Sequence, residues 1–203
     1  PYSYLAIGRY RAMAEAWAVD IALKPVYPLA IRQPDFFERN HPNWLRYTFT
    51  DMFRVAQFHG IPFGPPRPDP IRQDLATRQI AADQPVIRRL TRLGQAAARR
   101  GKGMVFAHEA AKLIWGGAEN WHEGDHLAGA AERAGLNLGE LDAEAISDAD
   151  ALDAELAANQ SALEAAGHWG VPTLVIEGEP FFGQDRIDMV LWRLQQKGLE
   201  KRA

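Results

Sequence analysis

The chain has 203 residues, 47% of them hydrophobic, which is enough for a substantial core in one domain or in a domain with an insertion. Its net charge of −3 gives no general attraction to nucleic acid or to an anionic membrane, so a small ligand fits this balance better. The chain contains no cysteine, and its own side chains therefore cannot carry out thiol–disulfide exchange. Any sulfur chemistry must use a thiol that a ligand supplies.

The first segment predicts a helix followed by a strand. Residues 4–18 are rich in alanine and other apolar residues, a composition typical of a buried helix. Residues 20–27 then predict a strand, with Ile21, Leu23 and Val26 facing inward.

The middle of the chain, residues 31–169, has little strand pattern and several helical patterns. The predicted helices cover residues 45–59, 73–80, 84–99, 105–114, 126–134 and 149–166. Between the first two, the proline-rich segment 60–68 cannot stay helical, because proline lacks the backbone donor and clashes with the preceding turn. The pattern predicts a helical insertion.

The end of the chain returns to strand patterns. Residues 173–176 and 179–182 predict a hairpin across Glu177-Gly178. A final helix is predicted to open at Asp185 and to stop at Gly198. Its apolar positions follow the i, i+3, i+4, i+7 spacing of one helix face: Ile187, Val190, Leu191 and Leu194.

Pro172 follows Val171 directly ahead of the predicted hairpin. A cis bond at this proline would place the loop in a tight turn and leave the Val171 amide and carbonyl free for an extended peptide ligand. An ordinary trans turn accounts for the same residues. Local sequence leaves both conformations open.

Three segments together resemble a known family: Pro1-Tyr2-Ser3, the Val171-Pro172 loop, and the run Phe182-Gly183-Gln184-Asp185-Arg186. They resemble the DsbA-like thioredoxin superfamily, in the branch of 2-hydroxychromene-2-carboxylate isomerases and kappa-class glutathione transferases. The active-site turn of that branch reads Ser-Pro-Tyr-Ser, and the first three residues here match its last three positions. The family's catalytic serine, and the strand that leads to it, would precede Pro1.

The resemblance implies an α/β fold, a thioredoxin-like domain with a large all-helical insertion. The thioredoxin-like domain would comprise residues 1–30 plus 166–203, and the insertion residues 31–165. The resemblance also implies glutathione as cofactor, a small aromatic carboxylic acid as substrate, and a cytoplasmic homodimer. We expect neither nucleic acid nor a membrane as partner.

The resemblance assigns the glutathione contacts to six residues: Asp51, Val171, Pro172, Gly183, Gln184 and Asp185. At the last helix, a ligand carboxylate would meet free helix amides and Gln184, and its ammonium would pair with Asp185. Asp185 is also a plausible helix cap without any ligand.

Ser3 is a weak catalytic candidate. A hydroxyl at the amino end of a helix can donate to a bound thiolate and so lower the pKa of that thiol. The alternative is that Ser3 only caps the helix.

Residues 40–51 resemble a substrate-contacting region of the family, in which Trp44 replaces a lysine. The expected substrate contacts are Tyr2, Arg32, Asn43, Trp44 and Tyr47. A guanidinium of Arg32, Arg39 or Arg46 can bind a substrate carboxylate in a two-pronged manner, unless these arginines are solvated surface charges.

The segment His122–His126 matches the H-E-x-x-H zinc pattern in its letters. Gly124 and Asp125, however, predict a break that opens a helix near His126 and leaves His122 outside it. We therefore expect no metal here, and a zinc hydrolase is the least favoured function.

The reaction implied by the resemblance is isomerisation, in which a glutathione thiolate adds reversibly to a cyclic aromatic acid and allows ring opening and bond rotation. One alternative is a kappa-class glutathione transferase or peroxidase, which uses the same thiolate on another electrophile. An alternative of a different class is a non-catalytic thioredoxin-like module that binds peptides.

Overall fold

The computed structural model describes residues 1–74 and 76–202, which form ten α-helices and one two-stranded hairpin. The helices are α1 (Tyr2–Ala16), α2 (Leu29–Arg32), α3 (Phe36–Arg39), α4 (Pro42–His59), α5 (Pro85–Arg99), α6 (Gly103–Trp115), α7 (His126–Arg133), α8 (Leu138–Ser147), α9 (Ala149–Ala165) and α10 (Ile187–Gln196). The strands are β1 (Thr173–Ile176) and β2 (Glu179–Phe182). Within the described ranges, no helix has both the length and the apolar character needed to cross a bilayer.

The hairpin forms as predicted, with antiparallel strands in a register that pairs Thr173 with Phe182 and Ile176 with Glu179. Both turn residues, Glu177 and Gly178, have positive φ, at 50° and 88°. This is the backbone conformation that suits a two-residue hairpin turn, because it follows the twist of the strands.

Helix α1 packs against one face of the hairpin and against α10. The buried cluster that joins them consists of Ala6, Tyr10, Met13, Ile176, Phe181, Ile187 and Val190. Other α1 side chains, Tyr4 and Leu5, are buried against Met52 and Ala56 of α4. Helix α1 therefore holds the hairpin and α4 in fixed positions relative to each other.

The helices of the middle of the chain share a separate core. Its largest fully buried side chains include Leu93 of α5, Phe106 of α6, Leu141 of α8 and Leu152 of α9. The predicted helices at 45–59, 84–99, 105–114, 126–134 and 149–166 are confirmed as α4, α5, α6, α7 and α9. The division into residues 1–30 plus 166–203 and residues 31–165 stays a prediction.

Helices α2, α3 and α8 are not predicted by the sequence patterns. The first two have only four residues each, too few to show a periodic pattern. A signal for α8 is present at Asn137, whose side-chain oxygen accepts a hydrogen bond from the Glu140 amide at 3.1 Å. Such a cap is a normal helix start.

The helix predicted at residues 73–80 is wrong. The described residues of this segment form a loop closed by an isolated bridge between Gln73 and Ile80, and Leu75 lies outside the described residues. The Asp74 carboxylate accepts hydrogen bonds from the amides of Ala76 and Thr77 at 2.8 and 3.1 Å. Side-chain bonds of this kind compete with helical hydrogen bonds, and they favour a turn.

The strand predicted at residues 20–27 is also wrong, because the segment forms no regular element and pairs with no strand in the described ranges. A strand exists only through pairing with a neighbour. The expected alternation of side chains nevertheless appears: Val19, Ile21 and Leu23 are half-buried, whereas the residues between them are exposed. Val19 and Ile21 pack against the hairpin cluster.

Ion pairs from α5 fix its position relative to α9 and to this segment. The Arg92 guanidinium donates to both carboxylate oxygens of Asp153 at 2.8 and 2.7 Å, and the Tyr27 hydroxyl donates to the same carboxylate at 2.7 Å. The hydrogen bond from Arg92 is the main reason why the pKa of Asp153 lies below its usual value, although burial opposes this shift.

We predict that Asp153→Asn lowers the free energy of unfolding at pH 7 by about 1–2 kcal/mol, since it removes a half-buried, two-pronged ion pair. The folded-state pKa of Asp153 is depressed, so its stabilisation is complete above the usual carboxyl pKa and is lost as pH falls through the folded value. In urea unfolding, the free energy of unfolding should therefore fall less for the variant than for the parent as the pH is lowered from 7 to about 3. Asp150→Asn, at an exposed position on α9, is the control and should match the parent.

Candidate functional site

The loop before β1 and the turn after β2 meet at one end of the hairpin, and α1 contacts the second of them. The Gly183 amide donates to the Pro172 carbonyl at 2.9 Å, which joins the two hairpin ends. From α1, Arg9 Nη1 donates to the Gln184 carbonyl at 2.8 Å. The packing of α1 on the hairpin therefore determines the geometry of all three segments.

The bond between Val171 and Pro172 is cis, as one of the two sequence interpretations predicted. Val171 is 39% exposed, and the hairpin ladder begins only at Thr173. Among the described residues, neither the Val171 amide nor its carbonyl has a backbone hydrogen-bond partner. This short length of open backbone has the pairing capacity that an extended peptide ligand requires.

The loop before Val171 is held by its own hydrogen bonds. The Gly170 amide donates to His168 Nδ1 at 2.8 Å, and the Thr173 hydroxyl donates to the Gly170 carbonyl at 2.7 Å. Gly170 has no room for a side chain, because a Cβ atom there would lie 2.6 Å from the Phe182 ring. The open backbone of Val171 is thus preorganised.

After β2, Gly183 turns the chain with φ 109°, and a single 3₁₀ turn, Gln184–Arg186, precedes α10. The Asp185 carboxylate folds back over Gly183, since a Cβ atom at that glycine would lie 2.5 Å from Asp185 Oδ1. Asp185 makes no capping hydrogen bond and instead pairs with Arg186 at 2.6 Å, so the helix-cap interpretation is wrong. Its carboxylate stays exposed at the open end of the hairpin.

Tyr2, Asp51 and Tyr47 lie together beside the start of α1. The Tyr2 hydroxyl donates to Asp51 Oδ2 at 2.6 Å, and the Tyr47 hydroxyl lies 3.5 Å from Asp51 Oδ1. Burial, and then the hydrogen bond to Asp51, raises the pKa of Tyr2 above its usual value. The phenol is therefore protonated at neutral pH and serves as a hydrogen-bond donor.

Ser3 does not cap α1. The helix begins at Tyr2 with Pro1 before it, no side chain caps its amino end, and Ser3 lies exposed in the first turn. The interpretation of Ser3 as a cap is wrong because the helix starts at Tyr2, two residues earlier than that role requires. The uncapped first-turn amides of α1 give this end of the helix a partial positive charge, which favours an anion.

Aromatic side chains form a wall next to Val171. The Trp169 ring lies 5.6 Å from Phe36, which in turn lies 5.4 Å from Trp44. The His168 ring stacks on Phe182 at 4.0 Å. Trp44, Trp169 and Phe182 are 38%, 42% and 45% exposed, so this wall offers a large apolar surface beside the open backbone.

Arg32 fixes the backbone of Trp169, which is part of this wall. Its Nε donates to the Tyr27 carbonyl at 2.7 Å and its Nη1 to the Trp169 carbonyl at 2.9 Å. Its Nη2 is buried and has no partner among the described residues. Burial lowers the pKa of Arg32.

Of the other predicted contacts, Asn43 lies exposed at the start of α4, where its backbone N–H donates to His41 Nδ1 at 3.1 Å. Arg39 forms a surface pair with Asp35 at 3.0 Å, and Arg46 is exposed on α4. The structure thus places Trp44 and Arg32 at the aromatic wall, and Tyr47 beside Asp51. Sequence reasoning missed Arg9 and Phe36, which no motif marks, and it gave no binding role to Phe182, although Phe182 opens the Phe-Gly-Gln-Asp-Arg run.

The residues of the H-E-x-x-H pattern do not lie on one helix face. Helix α7 begins at His126, Gly124 has φ 54°, and His122 lies in the turn before the helix, as the glycine predicted. Across residues 1–74 and 76–202, no group of three or more possible metal ligands comes together.

This arrangement of an α1 amino end, a cis-proline loop and a hairpin with a final helix defines a thioredoxin-like fold. The sequence matches the family of DSBA-like thioredoxin domains over residues 1–195, and the chain belongs to that family. Its fold is similar to the solved structure of 2-hydroxychromene-2-carboxylate isomerase, with a TM-score of 0.71 and 20% identity. The similarity covers 97% of this chain and 90% of the isomerase. Comparison with curated protein sequences gave no match.

We predict that Gly183→Ala destabilises the fold by about 1–3 kcal/mol and displaces the Asp185 carboxylate, because its positive φ and the close Asp185 oxygen both exclude a side chain. Gly178→Ala is the matched control, since its φ is 88° but open space surrounds it. Urea unfolding should show a lower free energy of unfolding in both variants than in the parent. The NMR resonance of the Asp185 backbone amide should shift in Gly183→Ala but not in Gly178→Ala. An unshifted Asp185 resonance in Gly183→Ala would contradict the described packing.

Proposed function

We propose that the protein is a glutathione-dependent isomerase of a small aromatic carboxylic acid, of the 2-hydroxychromene-2-carboxylate isomerase type. The observation that carries this proposal is the unpartnered Val171 backbone, which precedes a proline bonded directly to the turn that carries Asp185. A tripeptide with a thiol, a free carboxylate and an ammonium fits these features. The absence of cysteine means that the thiol must come from the ligand.

In this proposal the Val171 amide and carbonyl pair with the cysteinyl backbone of glutathione. The γ-glutamyl carboxylate meets the Gln184 side chain and the amides of the 3₁₀ turn, and its ammonium pairs with Asp185. Arg9 keeps this turn in position through its hydrogen bond to the Gln184 carbonyl. Asp51, held by Tyr2, supplies a further acceptor toward the tripeptide.

When bound, glutathione would supply a thiolate that adds reversibly to the substrate and so permits ring opening and bond rotation. The first-turn amides of α1 favour the thiolate over the thiol, because the helix end carries partial positive charge. The Ser3 hydroxyl lies in the same turn and is a donor of the same kind. Tyr2, protonated at neutral pH, can donate to an oxygen of the reacting molecule.

The aromatic wall supports an aromatic substrate. Trp44 and Trp169 present ring faces beside Val171, and stacking of a flat substrate on them would exclude water from the reacting atoms. The substrate carboxylate needs a cation, and Arg32, whose guanidinium donates to the Trp169 carbonyl, is the proposed one. Tyr47 and Asn43 are the remaining proposed contacts, at the rim formed by α4.

We predict that glutathione binds saturably in calorimetric titration and that Asp185→Asn weakens the affinity about tenfold, the loss expected for one charge-assisted contact. Glu200→Gln is the control, because it removes one negative charge at an exposed position near the same end of the chain and away from Arg9. Its affinity should stay within about twofold of the parent. No saturable binding to the parent, or an equal loss in both variants, would refute the proposed binding mode.

Product analysis separates isomerisation from transfer. With a 2-hydroxychromene-2-carboxylate as substrate, we expect conversion to the open-chain isomer at constant glutathione concentration, since the thiol is returned in each cycle. Liquid chromatography of substrate, isomer and free thiol checks this balance. Stoichiometric loss of glutathione would instead assign a kappa-class transferase or peroxidase, and binding without any turnover would assign a peptide-binding module.

A further inference from the structure

A groove separate from this cleft runs along α1, between the carboxyl end of α4 and helix α6. It consists of two adjoining lobes of about 260 and 400 Å³. The residues common to both lobes are Tyr4, Ile61 and His108. Pockets for small molecules commonly have a volume of about 300 to 1,000 Å³, so the groove has the size of such a site.

The polar side chains that line the groove are hydrogen-bond donors or imidazoles. Arg9 and His59 line the first lobe, Lys112 lines the second, and His108 lines both. No carboxylate is among the described residues that line either lobe. The apolar lining comes from Ile61, Pro62 and Ala12, together with the ring of Tyr4.

The hydrogen bonding of His108 determines which of its nitrogens carries the proton. Arg11 Nη1 lies 2.9 Å from His108 Nδ1, and a guanidinium can only donate, so Nδ1 accepts. The neutral ring therefore carries its hydrogen on Nε2. That nitrogen lies at the Gly8 wall of the groove, 3.3 Å from the position that a Cβ atom of Gly8 would take.

The groove lining holds two cations, Arg9 and Lys112, and each of them pairs with a carboxylate outside the lining, Asp188 at 3.7 Å and Glu109 at 2.7 Å. Burial is the main cause that lowers the pKa of His59 and of His108, and the neighbouring cations lower it further. The nearby carboxylates already have cationic partners: Glu15 with Arg11, Glu109 with Lys112 and Arg133, and Asp188 with Arg9. An added anion would therefore meet donors without a competing free carboxylate in the lining.

We propose that this groove binds a small organic oxyanion, a molecule with one phosphate or carboxylate on an apolar body. The anionic end contacts His108 Nε2 and Lys112, and the apolar body lies on Tyr4 and Ile61. A bound anion favours the protonated form of His59, whose pKa is lowered in the free protein, so the affinity should rise as pH falls. His108 stays neutral, because its Nδ1 accepts from Arg11, and donates through Nε2. This site does not depend on the proposed glutathione cleft.

The test is titration of the full protein with phenyl phosphate, followed by proton NMR of the histidine rings. We expect saturable shifts of His59 and His108, and about tenfold weaker binding in Ala12→Leu, which fills the first lobe from an exposed position. His108→Ala should bind phenyl phosphate about tenfold more weakly than the parent. His108→Gln keeps a nitrogen donor at a similar reach, so its affinity should stay within about twofold of the parent. Lys112→Gln should weaken binding about fivefold.

Benzyl alcohol, which has the ring but no charge, is the control ligand and should not shift the histidine resonances. The proposal is overturned if phenyl phosphate causes no saturable shift, or if Ala12→Leu binds it as well as the parent. It is also overturned if the largest NMR shifts on titration with phenyl phosphate are those of Val171 and Gln184, because the ligand would then lie in the cleft. Because Ala12 is exposed, its variant keeps the test valid even if a His108 variant unfolds.

Discussion

The packing of α1 on the hairpin and on α10 is the interaction on which the rest of the structure depends. Ala6, Tyr10 and Met13 of α1 share one buried cluster with Ile176 and Phe181 of the hairpin and with the start of α10. This cluster fixes α1 against the hairpin, whose two ends, the cis-proline loop and the Asp185 turn, are bonded to each other. Three weak binding features, an open helix end, an unpaired strand edge and an exposed carboxylate, thereby become one site.

Arg9 connects the two proposed binding surfaces. Its guanidinium donates to the Gln184 carbonyl, and the same side chain lines the groove beside His59. If both proposals hold, a charge bound in the groove would act on the residue that fixes the Gln184–Arg186 turn. Both proposed surfaces use side chains of α1, and that helix is among the most buried parts of the protein.

Sequence patterns were sufficient for the hairpin and most of the helices, because each depends on local periodicity, whereas the cis bond before Pro172 was one of two conformations that the local sequence left open. They failed where an element depends on distant groups. Residues 20–27 alternate as a strand does, yet a strand requires a partner, and none pairs with them in the described ranges. The segment 73–80 has helical spacing, but the Asp74 carboxylate binds the amides that a helix would use. Arg9 carried no signal, since its role depends on a hydrogen bond across 175 positions of the chain.

The most direct test of the account is amide hydrogen exchange at Val171 with and without saturating glutathione. The open backbone of Val171 is the feature that the proposed function needs most, and a bound tripeptide would give its amide an acceptor. The account predicts fast exchange in the free protein and markedly slower exchange in the complex, whereas the Gly183 amide, already bonded to Pro172, stays slow in both. Unchanged exchange at Val171 in protein saturated with glutathione would contradict the proposed site.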